Sequence, residues 1–317
     1  MGPDPCLSCA GSVPPHTPWI DAMTGRVRLA EHARDIAREL MLARARIVPS
    51  RSHGAAIERF GGAEPGSLEF EVLAPGVEAR IIGRSTVPAP PACTAQDPLV
   101  LAFWGHLSPI KGLELIPKAL KMLDDASRVA VEILGSDVDP SFAERLREEC
   151  AGLPVRFHGA FEAADLGEHP GLAGAHAMVS PSLAEESFGM VIDEALALGL
   201  PCLLSAVGAY AERGGGQAWC ALFERSSARA LAECIQDLLD SPERLAQLTG
   251  GVPENPFEGR TWEQHAAATQ AIYERAVLAG APEVEPLEWF ADRIQDQELS
   301  DWERELRAAD ASDLGLS

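Results

Sequence analysis

Two carboxylates stand eight residues apart in Glu186-Ser-Phe-Gly-Met-Val-Ile-Asp-Glu194, on either side of Phe188-Gly189-Met190. On a helix rising about 1.5 Å per residue they would lie roughly 12 Å apart, enough to reach two polar groups of one extended ligand. A carboxylate accepts strong, charge-assisted bonds from hydroxyls, so the pair suits a polyhydroxylated molecule. The start of a helix between them would offer unpaired N–H groups to a phosphate. Gly189 would let that ligand come close to the backbone. A cation stands ready in Trp104-Gly105-His106-Leu-Ser-Pro-Ile-Lys111-Gly112. Glutamates on a helix are also often no more than a solvated face, and spacing alone does not separate the two readings.

The elements that must position these residues are regular. Ala177–Val179 reads as a strand, Ser187–Leu198 as a helix ended by Gly199 and Pro201, and Cys202–Ala206 as a strand again. Strand–loop–helix–strand is the crossover of a parallel sheet, and ligands bind such sheets beyond the carboxyl ends of the strands. Leu99–Phe103, Val129–Leu134, Val155–Phe157 and Ala221–Phe223 read as further strands. Helices are expected over Leu113–Leu123, Ala228–Leu239 and Arg260–Ala276. The alternation predicts an α/β fold built on a doubly wound parallel sheet. Ahead of it, periodicity predicts a helix over Arg28–Ala43, a strand end at Arg46–Ser50, a helix over His53–Phe60 and a strand over Leu68–Leu73. The proline-rich stretch Val87–Pro98 reads as a linker.

Glu186 to Pro201 resembles the E-x7-E signature of retaining GT-B glycosyltransferases of family four (glycosyl transferases group 1), near E-x-F-G-L-x-x-x-E-A-x-A-x-G-x-P, with Met190 for the leucine. The resemblance implies two Rossmann-like domains and transfer of a hexosyl unit, with retention, from a nucleotide diphosphate sugar (UDP- or GDP-sugar) to a saccharide or lipid acceptor. It implies that Glu186 meets the donor-sugar hydroxyls, Glu194 the ribose, and the Phe188–Met190 backbone the diphosphate. The Trp104–Gly112 stretch resembles the family's G-R-x-x-x-x-K-G. There Gly105 and Lys111 match, and Lys111 would neutralise the leaving diphosphate. His106 replaces the arginine, so it is a weaker helper: it is charged only in part near neutrality and cannot grip phosphate bidentately. Phe157-His-Gly159 resembles the loop near which the base packs. In Ser205-Ala-Val-Gly208-Ala209, after the strand beginning at Cys202, Ala209 replaces the second glycine of the family's pair.

The same resemblance implies an N-terminally truncated chain: residues 1–95 as a partial acceptor-side domain and linker, 96–280 as the complete nucleotide-sugar domain, and 281–317 as an acidic helical tail. It also implies peripheral contact with a membrane or with a partner chain supplying the missing half. Against the transferase stands a sugar-nucleotide-binding module without activity of its own, and more weakly a sugar-nucleotide epimerase. No G-x-S-x-G nucleophile occurs, and no second acid pairs with Glu186 for a hydrolase mechanism.

Composition bounds the rest. The 317 residues carry a net charge of −22, which argues against a nucleic-acid surface. There is no run of about 18 apolar residues and no signal-peptide pattern. Seven cysteines, an odd number, suit a reducing cytoplasm. Cys6-Leu-Ser-Cys9 lacks a second pair and reads as inert rather than zinc-binding. Asp137-Val-Asp139 is a literal D-x-D, but Asp139-Pro140 reads better as a helix cap, so no metal is expected. Arg156 and His158 alternate outward. The tail holds eleven acidic residues against three arginines, interrupted by Trp289, Phe290, Ile294 and Trp302.

Overall fold

The computed structural model describes residues 39–40, 42–61, 65–77 and 88–280. The Cys6–Cys9 pair, nearly all of the helix expected over Arg28–Ala43 and the acidic tail lie outside the described residues. Two compact units result. One holds the described residues up to Arg46, Ile57–Glu71 and those from Gln270; the other holds Ile47–Ala56 and Val72–Thr269.

The larger unit is built on six parallel strands: β3 (Leu99–Trp104), β4 (Val129–Leu134), β5 (Val155–Gly159), β6 (Ala177–Ser180), β7 (Cys202–Ser205) and β8 (Cys220–Phe223). Their order is β5-β4-β3-β6-β7-β8. Leu101 faces Val131 on one side and Ala177 on the other. The chain therefore builds outward from β3 in one direction, then returns to β3 and builds outward in the other. The β3/β6 seam is the topological switch point, where ligands of open α/β sheets bind.

The central strands are apolar runs because both faces are covered. In β3, Leu99, Leu101 and Phe103 enter one core, and Ala102 and Trp104 the other. The first core is closed by α2 (Leu115–Leu120), α3 (Pro140–Glu149) and α6 (Ala228–Asp240), through Ile116, Phe142, Leu231 and Ile235. The second is closed by α4 (Met190–Ala197) and α5 (Gly208–Gly214), through Ile192, Ala195, Leu196 and Tyr210. The helix starts carry recognisable caps. Ser227 accepts from Ala230 N–H at 3.1 Å, and Asp139 from Phe142 N–H at 3.0 Å. The second of these gives the D-x-D residue its place at the head of α3, followed by Pro140 at the first turn.

The remaining elements are β1 (Ile47–Val48), α1 (Arg51–Gly61), β2 (Glu71–Val72), α7 (Pro242–Gly250) and α8 (Trp262–Leu278). The strand expected over Leu68–Leu73 shrinks to two residues, and the helix over Leu113–Leu123 to six. Gly112 in the left-handed region delays the latter's start. Among the described residues no helix is long and apolar enough to cross a membrane.

Candidate functional site

At the exits of β3, β4 and β5 three glycines stand side by side. Gly105 N–H donates to Leu134 O at 3.0 Å, and Gly135 N–H to Gly159 O at 2.7 Å. A Cβ on Gly135 would lie 1.7 Å from Gly105 O, so the strand ends meet at backbone distance. Beyond Gly105 the chain makes a short turn, Pro109–Lys111. That turn is zipped to the loop leaving β6: Ile110 O accepts from Leu183 N–H at 2.8 Å and Ala184 N–H at 3.2 Å.

This zipping brings two of the expected residues together across the seam. Lys111 Nζ lies 2.7 Å from Glu186 Oε1, which also accepts from Ser182 Oγ at 2.8 Å. Ser182 is fully buried and Glu186 half-buried, so the carboxylate is held on its inner side and open on the other. Ala209 N–H, at the head of α5, fixes the Glu186 carbonyl at 3.0 Å.

The next turn departs from the sequence expectation. The helix begins at Met190, not Ser187, because Gly189 has φ 78° and cannot continue an α-helix. Glu186 therefore belongs to a loop, and the roughly 12 Å helical spacing to Glu194 does not apply. Gly189 also seats the turn on Tyr210, whose ring a Cβ would meet at 2.5 Å. Tyr210 is anchored by Ser180 Oγ, 2.9 Å from its hydroxyl, and burial raises its phenol well above the ordinary value. Gly189 has no side-chain cap. The N–H groups of Gly189, Met190 and Val191 find no acceptor among the described residues.

Glu194, one turn along α4, accepts from Trp104 Nε1 at 2.6 Å. Burial raises its carboxyl, the Trp104 bond opposes this, and neighbouring Asp193 adds to it. The indole thus ties α4 to the end of β3, just before Gly105. His106 is exposed and separate: its Nδ1 lies 2.9 Å from Ser136 Oγ. Gly159 sits at the β5 exit, half-buried at φ 76°.

Several residues that the sequence did not single out complete the region. Asp193, behind Glu194, is 1% exposed and bonded to Arg213 and to Arg260, the latter at 2.9 Å through both oxygens. Both guanidinium groups lie over the Phe188 ring, 4.0 and 4.9 Å from its centroid. Arg213 Nη1 also donates to Phe188 O at 3.1 Å and Gly189 O at 3.0 Å. Ser50 donates to Ser187 O at 2.6 Å, and Glu212 caps α1 by accepting from Arg51 and Ser52 N–H at 3.1 and 2.7 Å. None of these belongs to a spacing motif; each is a single polar residue among apolar or small ones.

His158 needs a correction. Rather than facing solvent with Arg156, its Nε2 lies 2.7 Å from Glu132, a β4 carboxylate that is 3% exposed, and its ring meets His169 edge-on. Arg156 does point outward, and its guanidinium returns to the same carboxylate at 2.9 Å.

The arrangement offers a lysine and unpaired N–H groups for an anion, and two carboxylates for hydroxyls. Residues 98–241 match the family described as glycosyl transferases group 1. A D-inositol 3-phosphate glycosyltransferase of Catenulispora acidiphila is 30% identical over 245 residues, covering 72% of this chain and 54% of that protein. The chain thus spans about half the length of the curated relatives it matches. Among solved structures, Anabaena HepE in complex with UDP and glucose aligns with TM-score 0.62 at 17% identity, over 77% of this chain and 67% of that one. The sucrose-phosphate synthase of Thermosynechococcus elongatus aligns with TM-score 0.62 at 24% identity, over 80% of this chain and 62% of its own. The switch-point loops, the sheet order and these matches agree: residues 98–241 belong to the group 1 glycosyltransferases, on a GT-B-type fold.

Proposed function

We propose that the protein transfers a hexosyl unit from a nucleotide diphosphate sugar to a saccharide or lipid acceptor, with retention at the anomeric carbon. The observation that carries this is the meeting of Lys111 and Glu186 across the β3/β6 seam, 2.7 Å apart, beside the uncapped Phe188–Met190 turn. When the donor's bond to phosphate breaks, negative charge collects on the diphosphate. Lys111 and the Gly189 and Met190 N–H groups stabilise it, with His106 assisting from the far end of its loop. Glu186 orients the sugar hydroxyls and Glu194 the ribose, while Gly105 and Gly159 let diphosphate and base lie against backbone. Residues 96–280 form the donor domain, 1–95 the partial acceptor-side domain and linker, and 281–317 an acidic C-terminal tail. The reading requires no metal and places the reaction in the cytoplasm.

UDP is the favoured donor nucleotide, because the Anabaena neighbour is described in complex with UDP. Calorimetric titration of the full chain with UDP, GDP and ADP tests this, together with Lys111→Ala and Glu194→Ala. One nucleotide is expected to bind, and each substitution to weaken it about tenfold or more. A folded chain that binds none of the three sinks the reading. One observation favours a binding module without activity of its own: His106 holds the family's arginine position and is engaged by Ser136. Product formation from UDP-glucose with a saccharide acceptor separates the two.

A further inference from the structure

Resting on that donor-site reading, we propose that Arg213 is a positioning residue that aims the Gly189 and Met190 N–H groups at the donor diphosphate. A trans peptide is planar, so the carbonyl of one residue and the N–H of the next point in opposite directions. Arg213 holds the carbonyls of Phe188 and Gly189, at 3.1 and 3.0 Å. It thereby turns the N–H groups of Gly189 and Met190 the opposite way. Left to itself, a glycine at φ 78° is the least restrained point of this loop. Ile192 N–H also holds the Gly189 carbonyl, at 2.9 Å, and among the described residues Arg213 alone adds the hold on the Phe188 carbonyl before it.

Three further contacts keep the guanidinium from drifting. It stacks 4.0 Å over the Phe188 ring, pairs with Asp193 on α4, and its side chain is only 15% exposed, so water competes little. Its helix, α5, is braced on both flanks. Ala209 N–H holds Glu186 O, and Glu212 caps α1. One short helix thus fixes the loop carrying Glu186 and the turn carrying the free N–H groups. A lysine at 213 would keep the charge beside Asp193. It would lose the planar fork that serves two carbonyls and a carboxylate together.

The distinguishing readout is the preference for a nucleoside diphosphate over the monophosphate, since only the diphosphate reaches both N–H groups. Full-length wild type, Arg213→Lys and Leu231→Ala would be titrated with UDP and with UMP. The Leu231→Ala variant opens the core beneath α6, away from the turn, and serves as a stability control. Wild type is expected to prefer UDP at least about tenfold, Arg213→Lys to lose about that factor, and Leu231→Ala to keep it despite a lower unfolding temperature. An unchanged preference in Arg213→Lys, or an equal loss in Leu231→Ala, overturns the proposal while leaving the donor site standing. Wild type that binds neither nucleotide overturns the donor-site reading and this inference with it. Should Arg213→Lys not fold, amide exchange in wild type decides. Gly189 and Met190 are expected to be protected by UDP and not by UMP, and equal protection by both overturns the proposal.

Discussion

Two buried carboxylates, Asp193 and Glu132, each hold a pair of cationic partners, and the pairs behave differently because of where their partners end. Around the Asp193 carboxylate, the side chains of Arg213 and Arg260 are 15% and 20% exposed. Around the Glu132 carboxylate, the Arg156 side chain is 70% exposed, and His158 carries charge only when protonated. The first cluster is an ion triad at the start of α4, clasped over Phe188 and little screened. The second joins β4 to the edge strand β5, with its arginine in water. Charges walled away from solvent fix geometry, and charges at a wet edge mainly neutralise. The fixed cluster lies directly behind the Phe188–Met190 turn.

The sharpest way to break the comparison is Asp193→Asn. Removing one member of a buried ion group leaves the others uncompensated, at a cost of about 3–5 kcal/mol. Urea denaturation measures this; a change below about 1 kcal/mol would mean that the triad is as wet as the edge cluster. Glu132→Gln is expected to cost less, about 1–2 kcal/mol, because Arg156 is already solvated. Its pH signature is distinct. Burial pushes the Glu132 carboxyl up, but the Arg156 and His158 bonds outweigh it and the net shift is downward from 4.5. A depressed folded value adds stability that is present above the ordinary range and lost as pH falls through that lower value. The gap between wild type and Glu132→Gln should therefore be wide at pH 6 and close at pH 3.

Glu194→Gln gives the smallest effect, with the opposite sign. Burial raises this carboxyl above 4.5, so the folded chain holds the proton more tightly than the unfolded one. Its contribution to stability falls as pH rises from the ordinary value through the raised one. At pH 7 the glutamine variant should be as stable as wild type or more so, by about 1 kcal/mol, while binding UDP less well. A loss of stability instead would show the Trp104 bond outweighing burial.

The sheet was legible in the sequence because strands covered on both faces are apolar runs, and five of the six read within one residue of their observed ends. The exception was β5, where Val155–Phe157 runs on to Gly159. Lys111, Glu186 and Glu194 were visible through motif spacing. The start of α4 was not. Phe188, Met190, Val191 and Ile192 carry helical periodicity forward, and only the seating of Gly189 on Tyr210 reveals the break. Arg213, Asp193 and Arg260 escaped for another reason. Their partners are backbone carbonyls and one another, contacts between distant parts of the chain that leave no periodic trace. His158 was misjudged because strand alternation gives a side chain's face but not whether a buried carboxylate waits there.

The switch point has a consequence for how the protein comes together. Strand β3 meets β4 across a short excursion of the chain, but it meets β6 only after β4 and β5 have been laid down. Closing that larger loop costs more entropy, so it is the more demanding pairing. Lys111 belongs to one side of this seam and Glu186 to the other. A fragment ending before Ala177 would contain three strands of this sheet and Lys111, but not Glu186. A ligand held by both sides acts as a staple across the slowest-closing contact, worth about 2.7 kcal/mol at a hundred times its dissociation constant. The state of the sheet would thereby follow the supply of any ligand that binds both sides of the seam.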